Sequence, residues 1–94
     1  MPANQVQKVK EVLTIPRVWM EMNLPGTSSK SCLSPFRREK TASFSVYDNG
    51  RKWKDFATGD GGDVIAFVQM VKNCSFKEAL HFCEGLIGLT HRRK

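Results

Sequence analysis

The sequence predicts an α+β fold: a small antiparallel sheet around a central β-hairpin at about residues 43–56, packed against helices from both ends of the chain. Three observations carry this. Apolar residues recur at helical spacing near both ends, Ser43-Phe44-Ser45-Val46-Tyr47 alternates strictly between them, and Asp48-Asn49-Gly50 follows with turn chemistry.

The elements follow in order. Val6, Val9, Val12 and Leu13 mark one helical stripe after a possible N-cap at Asn4. Thr14, with Pro16 near a helix start, opens a second short helix carrying Val18, Trp19 and Met22. Together they make a helical segment over 4–23. Residues 24–29, Leu-Pro-Gly-Thr-Ser-Ser, form a turn and loop. A β-rich core spans 30–58. If Asn49 and Gly50 form a two-residue type I′ loop, Val46 faces Trp53 and Phe44 faces Asp55. Parity then gathers Ser43, Ser45, Tyr47, Lys52, Lys54 and Phe56 on the other face.

Two helices fill 63–88. Val64, Phe67, Val68 and Val71 form the stripe of the first, with Asp63 its N-cap after Gly61-Gly62. Ser75-Phe76-Lys77-Glu78 reads as a capping box, and Phe76, Ala79, Leu80, Cys83 and Ile87 continue the second stripe until Gly85 or Gly88 ends it. The glycines at 59, 61 and 62 read as a tight turn rather than a phosphate cradle, because Asp63 at the helix start repels an anion.

Ninety-four residues make one domain, with a basic tail at 89–94. No apolar run approaches the roughly 20 residues of a membrane span, and the polar start does not read as a signal peptide. Three cysteines, an odd count, point to free thiols in a reducing cytoplasm, serving as packing residues. The net charge is +6, concentrated at residues 30–54 with a local +5, against a local −3 at 55–89. A basic stretch of this kind fits a polyanion partner or a solvated strand surface. With no nucleophile–base pair at recognisable spacing, no catalytic residue is assigned, and no small-molecule substrate is expected.

Residues 34–44, Ser-Pro-Phe-Arg-Arg-Glu-Lys-Thr-Ala-Ser-Phe, resemble the signature Cys-Pro-Phe-His-x-Glu-Lys-Thr-Pro-Ser-Phe of the zinc-ribbon N-terminal domain of bacterial and phage DNA primases. Residues 53–65, from Trp53 to Val64-Ile65, resemble the same family's stretch ending Cys-x-x-Cys-Gly-x-Gly-Gly-Asp-Val-Ile. The resemblance covers about residues 10–87 and is tight over 34–68. It implies a zinc-ribbon-like fold and a single-stranded-DNA template-binding role in primer synthesis. It also implies a primase catalytic domain or replicative helicase as partner. The alternative is a metal-free protein-interaction domain that docks to a polymerase or helicase without touching DNA.

The family's four ligands map to Ser34, Arg37, Asp55 and Thr58, none a thiol or imidazole, so no zinc and no other cofactor is expected. Similar metal-free versions resemble proteins associated with mobile elements. In place of the ion, an Arg37–Asp55 salt bridge with a hydrogen bond to Ser34 or Thr58 is expected. The alternative puts Arg37 on the basic face with Asp55 solvated. Arg38, Lys40, Lys52 and Lys54 are the candidate phosphate contacts. Tyr47 is either a stacking residue or a half-buried strand residue.

Overall fold

The structure, a computed structural model, describes residues 2–36, 38 and 40–88, with side chains from Val6 onward. Seven elements run α1 (Pro2–Val12), α2 (Ile15–Glu21), β1 (Phe44–Tyr47), β2 (Lys52–Asp55), β3 (Gly61–Gly62), α3 (Val64–Lys72) and α4 (Phe76–Ile87). The sheet is antiparallel, in the order β1-β2-β3.

Local chemistry explains most boundaries. Thr14 caps α2 by accepting from the Arg17 N–H at 3.4 Å, and Pro16 sits in the first turn, where a missing N–H costs nothing. Asp63 caps α3, accepting from the Ala66 N–H at 2.9 Å. At Ser75 both halves of the capping box form: the Glu78 N–H donates to Ser75 Oγ, and the Ser75 N–H donates to the Glu78 carboxylate. Asn73 and Gly88 end α3 and α4 in the left-handed conformation, which leaves Gly85 inside the last helix. Asn4 is not an N-cap, because helical backbone already begins at Pro2, a residue well suited to a first turn.

The hairpin register is the expected one, with Val46 opposite Trp53 and Phe44 opposite Asp55. The turn has one more left-handed residue than a type I′ loop needs: Asp48, Asn49 and Gly50 have φ of 55°, 58° and 83°. Two overlapping turns close it, from Gly50 N–H to the Tyr47 carbonyl and from Arg51 N–H to the Asp48 carbonyl, both at 3.1 Å. This tip is not free. The Ile15 N–H donates to the Gly50 carbonyl at 2.7 Å, and the Arg51 guanidinium donates to the Glu11 carbonyl at 3.1 Å. A Cβ on Gly50 would lie 2.9 Å from Pro16 Cδ, so only glycine lets the tip seat on the joint between α1 and α2.

The β-rich region extends beyond residue 58. Gly61 and Gly62 pair with Lys54 and Trp53 as a third strand instead of forming a turn. Lack of a side chain makes this possible, since a Cβ at Gly61 would sit 2.7 Å from the Trp53 carbonyl. The turn itself falls one step earlier, at Gly59 (φ 88°).

The core lies between the inner sheet face and the helices. Phe44, Val46 and Trp53 meet Val9, Leu13, Ile15, Val18, Trp19, Val64, Ile65, Phe67, Val68, Ala79 and Cys83. Five rings form its centre: Trp19, Phe36, Phe44, Trp53 and Phe67, with centroids 5.4–6.2 Å apart in each contacting pair. Such edge and offset contacts add to simple burial. Two residues of the expected stripes lie outside. Val12 and Phe76, 54% and 47% exposed, occupy helix ends where the stripe has rotated past its neighbours.

Candidate nucleic-acid interface

Because β1 and β2 bury Phe44, Val46, Trp53 and Asp55 inward, their alternate side chains stand on the opposite face. There Tyr47, Lys52 and Phe56 are exposed and Ser43 and Lys54 half-buried. Ser45 is an exception, only 7% exposed although it alternates outward. Tyr47 lies opposite Lys52 at one end of this face, while the Phe56 N–H bonds to the Ser43 carbonyl at the other. Four residues of strand therefore separate the two exposed rings, about 13 Å, with the lysines between them.

The two lysines are not equivalent. Lys54 lays its stem over Gly61 and donates from Nζ to the Gly59 carbonyl at 3.1 Å, so its ammonium is partly satisfied by the fold. Lys52 lines a shallow hollow of mixed charge with Gln7, Lys10, Glu11, Asp48, Arg51 and Asp63, in which Lys10 and Asp63 approach to 3.6 Å. Arg38 and Lys40 are exposed away from this pair. They line an open groove of about 820 Å³ walled by Pro25, Gly26, Leu33, Ser34, Pro35 and Phe36. Phe56, 68% exposed, was not among the expected contacts. Strand parity places it on the right face, and the signal passed over was an aromatic ring at an outward position.

The positions read as former metal ligands are only partly described. Ser34 and Asp55 are buried, 4% and 1% exposed, and Thr58 is exposed. Ser34 Oγ accepts from the Phe36 N–H at 3.0 Å, and Asp55 Oδ1 accepts from the Ala57 N–H at 3.0 Å. Thr58 turns its hydroxyl to Asp60 Oδ2 at 3.0 Å instead of to Asp55. Arg37, and with it the Arg37–Asp55 bridge, lies outside the described residues, as does the 89–94 tail. The solvated alternative for Asp55 does not hold, since that side chain is in the core.

Among the described residues, no group of three or more His, Cys, Asp or Glu could hold a metal ion. Cys83 is fully buried, and burial, reinforced by Asp63, Cys74 and Glu84 nearby, pushes its thiol up to about 12. Cys32, also buried, donates from Sγ to the Ser29 carbonyl at 3.4 Å. Among the described residues, no helix is long and apolar enough to cross a membrane.

Comparison with known proteins agrees with this architecture. The DNA primase of Mycolicibacterium smegmatis is 33% identical over 93 residues, covering 96% of this chain and 15% of the relative. That of Clostridium acetobutylicum is 39% identical over 87 residues, covering 90% of this chain and 15% of the relative. The chain thus spans about 15% of the length of these relatives. The crystal structure of the Aquifex aeolicus primase zinc-binding and RNA polymerase domains superposes with a TM-score of 0.71 at 29% identity, over 89% of this chain and 21% of that one. The CHC2 zinc finger family model matches residues 1–94. With sequence, fold and the order of its motifs in agreement, the chain belongs to the CHC2 zinc-finger family of DNA primases, in a form whose ligand positions carry Ser34, Arg37, Asp55 and Thr58.

Proposed function

We propose that this domain binds single-stranded DNA, as the template-binding module of a primase-like replication protein supporting RNA primer synthesis. The observation that carries this reading is the outer hairpin face, where Tyr47 and Phe56 bracket Lys52 and Lys54. Ammonium groups neutralise phosphates, and exposed rings offer stacking planes that any base can use. Arg38 and Lys40 extend the cationic surface. In this reading the domain is non-catalytic and works in the cytoplasm beside a primase catalytic domain or a replicative helicase, which supplies the chemistry.

A second reading has its own observation. The mixed-charge hollow around Lys52, and the tie between Lys54 and the Gly59 carbonyl, suit a protein partner that docks through paired charges. A titration of single-stranded oligonucleotides at two salt concentrations separates the two. Template binding requires an affinity that falls steeply with salt and falls again in a Lys52→Ala/Lys54→Ala variant. No affinity at low salt, together with capture of a helicase or polymerase, would establish the docking domain instead.

A further inference from the structure

The family implies zinc, and the residues at its four positions do not fit that ion. A structural zinc site needs four ligands drawn mainly from thiolates and imidazoles. Here two positions are hydroxyls, one already accepting from the Phe36 N–H and the other committed to Asp60. One is an arginine, a permanent cation that repels a metal. The single carboxylate spends one oxygen on the Ala57 N–H. No thiol is positioned as a substitute, since Cys32 is buried against the strand it bridges, with its sulfur turned to the Ser29 carbonyl.

A zinc ion in such a domain ties two loops together, and the tie is folding energy. We infer that this chain folds independently of metal, its two loops held by a ring and a closed turn in place of an ion. The first loop is anchored by Phe36. Its ring meets Phe44 at 5.4 Å and Trp53 and Phe67 at 5.6 Å each, so one side chain fastens the 34–36 segment to both main strands and to α3. The second loop closes on itself. Asp55 gives its carbonyl to the Gly59 N–H and takes the Asp60 carbonyl on its own N–H, both at 2.7 Å. Its carboxylate holds the Ala57 N–H, and Thr58 and Asp60 exchange two further bonds through the Thr58 hydroxyl. Buried Asp55 thus plays a structural part at a position where the family places a ligand.

The test compares the purified 94-residue chain before and after exhaustive dialysis against EDTA. The expected results are zinc far below one per chain by elemental analysis and the same Tm in both samples. Amide exchange at Phe36 and Ala57, whose N–H groups bond to Ser34 and Asp55, should stay slow in both. Stoichiometric zinc, a Tm lowered by the chelator, or loss of protection at these two amides would overturn the inference. Replacing the ring tests the anchor separately. Phe36→Ala should lower Tm by on the order of 10 °C, and Phe36→Leu by less. An unchanged Tm in Phe36→Ala would remove the ring from the account. Neither outcome depends on DNA binding, so the proposed function stands or falls by its own experiment.

Discussion

The two faces of one hairpin differ more than any two elements of this molecule. Phe44, Val46, Trp53 and Asp55 are at most 6% exposed, whereas Tyr47, Lys52 and Phe56, on the same two strands and the turn after them, face solvent. Backbone and register are shared, so only alternation separates the residues that hold the fold from those available to a ligand. Substitutions one position apart should therefore be read by different instruments.

The inner face should show the largest effect. Trp53 is 1% exposed, touches three other rings and donates from Nε1 to the Asp63 carbonyl at 3.0 Å. Trp53→Ala should cost about 3–5 kcal/mol in denaturant unfolding. A cost below about 1 kcal/mol would mean that the ring cluster is not the core.

Asp55 probes the polar end of that face. Asp55→Ala removes the acceptor for the Ala57 N–H and, on the proposal that Arg37 is its ion-pair partner, strands a guanidinium, at a cost of about 3–5 kcal/mol. If the pair exists, an Arg37→Met/Asp55→Leu double variant should recover much of that loss in urea unfolding, because replacing both charges by apolar groups removes the stranded one. A double variant no better than Asp55→Ala would dismiss the pair.

On the outer face the effects should move from stability to binding. Phe56→Ala should cost about 1–3 kcal/mol of single-strand affinity if the ring stacks on a base, with Tm unchanged. Lys52→Ala/Lys54→Ala should lower the slope of log affinity against log salt by about 1.4, at roughly 0.7 per lost phosphate contact on a single strand. Of the two lysines, Lys52 should contribute more, because Lys54 is already bonded within the fold.

The smallest expected effect is alkaline and lies in the core. Folding raises the Cys83 pKa above its ordinary value of 9.0 to about 12, so the thiol supports the fold fully below pH 9 and loses that support as pH rises toward 12. At pH 10 the loss amounts to about 1 kcal/mol. Cys83→Ala should be less stable at neutral pH but show a flatter decline from pH 8.5 to 10.5 in urea unfolding.

Much of this division was legible in the sequence because it rests on short-range rules. Alternation through Ser43–Tyr47 and the Asn49-Gly50 turn fixed which side chains share a face, and capping chemistry at Thr14, Asp63 and Ser75 fixed three helix starts. Other features depend on neighbours that no local pattern names. Periodicity puts Val12 and Phe76 on an apolar stripe without saying where the partner surface stops. Gly61-Gly62 has no strand propensity and pairs only because Trp53 and Lys54 leave room for bare backbone. Phe36 was visible inside a motif, but its three ring partners lie 8, 17 and 31 residues away. Within the candidate site, parity placed Tyr47, Lys52 and Lys54 correctly, yet it could not reveal that Lys54 already has a backbone acceptor.

The seat of the hairpin tip bears on how the domain can be engineered. Hairpin tips are ordinarily where affinity tags, fluorophores or inserted peptides are tolerated, being exposed and remote from the core. Here the Gly50 carbonyl and the Arg51 guanidinium hold the joint between the first two helices, and Pro16 fills the space beside Gly50. An insertion between Asn49 and Gly50 would pry the sheet from the N-terminal helices. The exposed turn at residues 25–27, joined to the core through the Trp19 indole, leaves Thr27 as the better point of attachment.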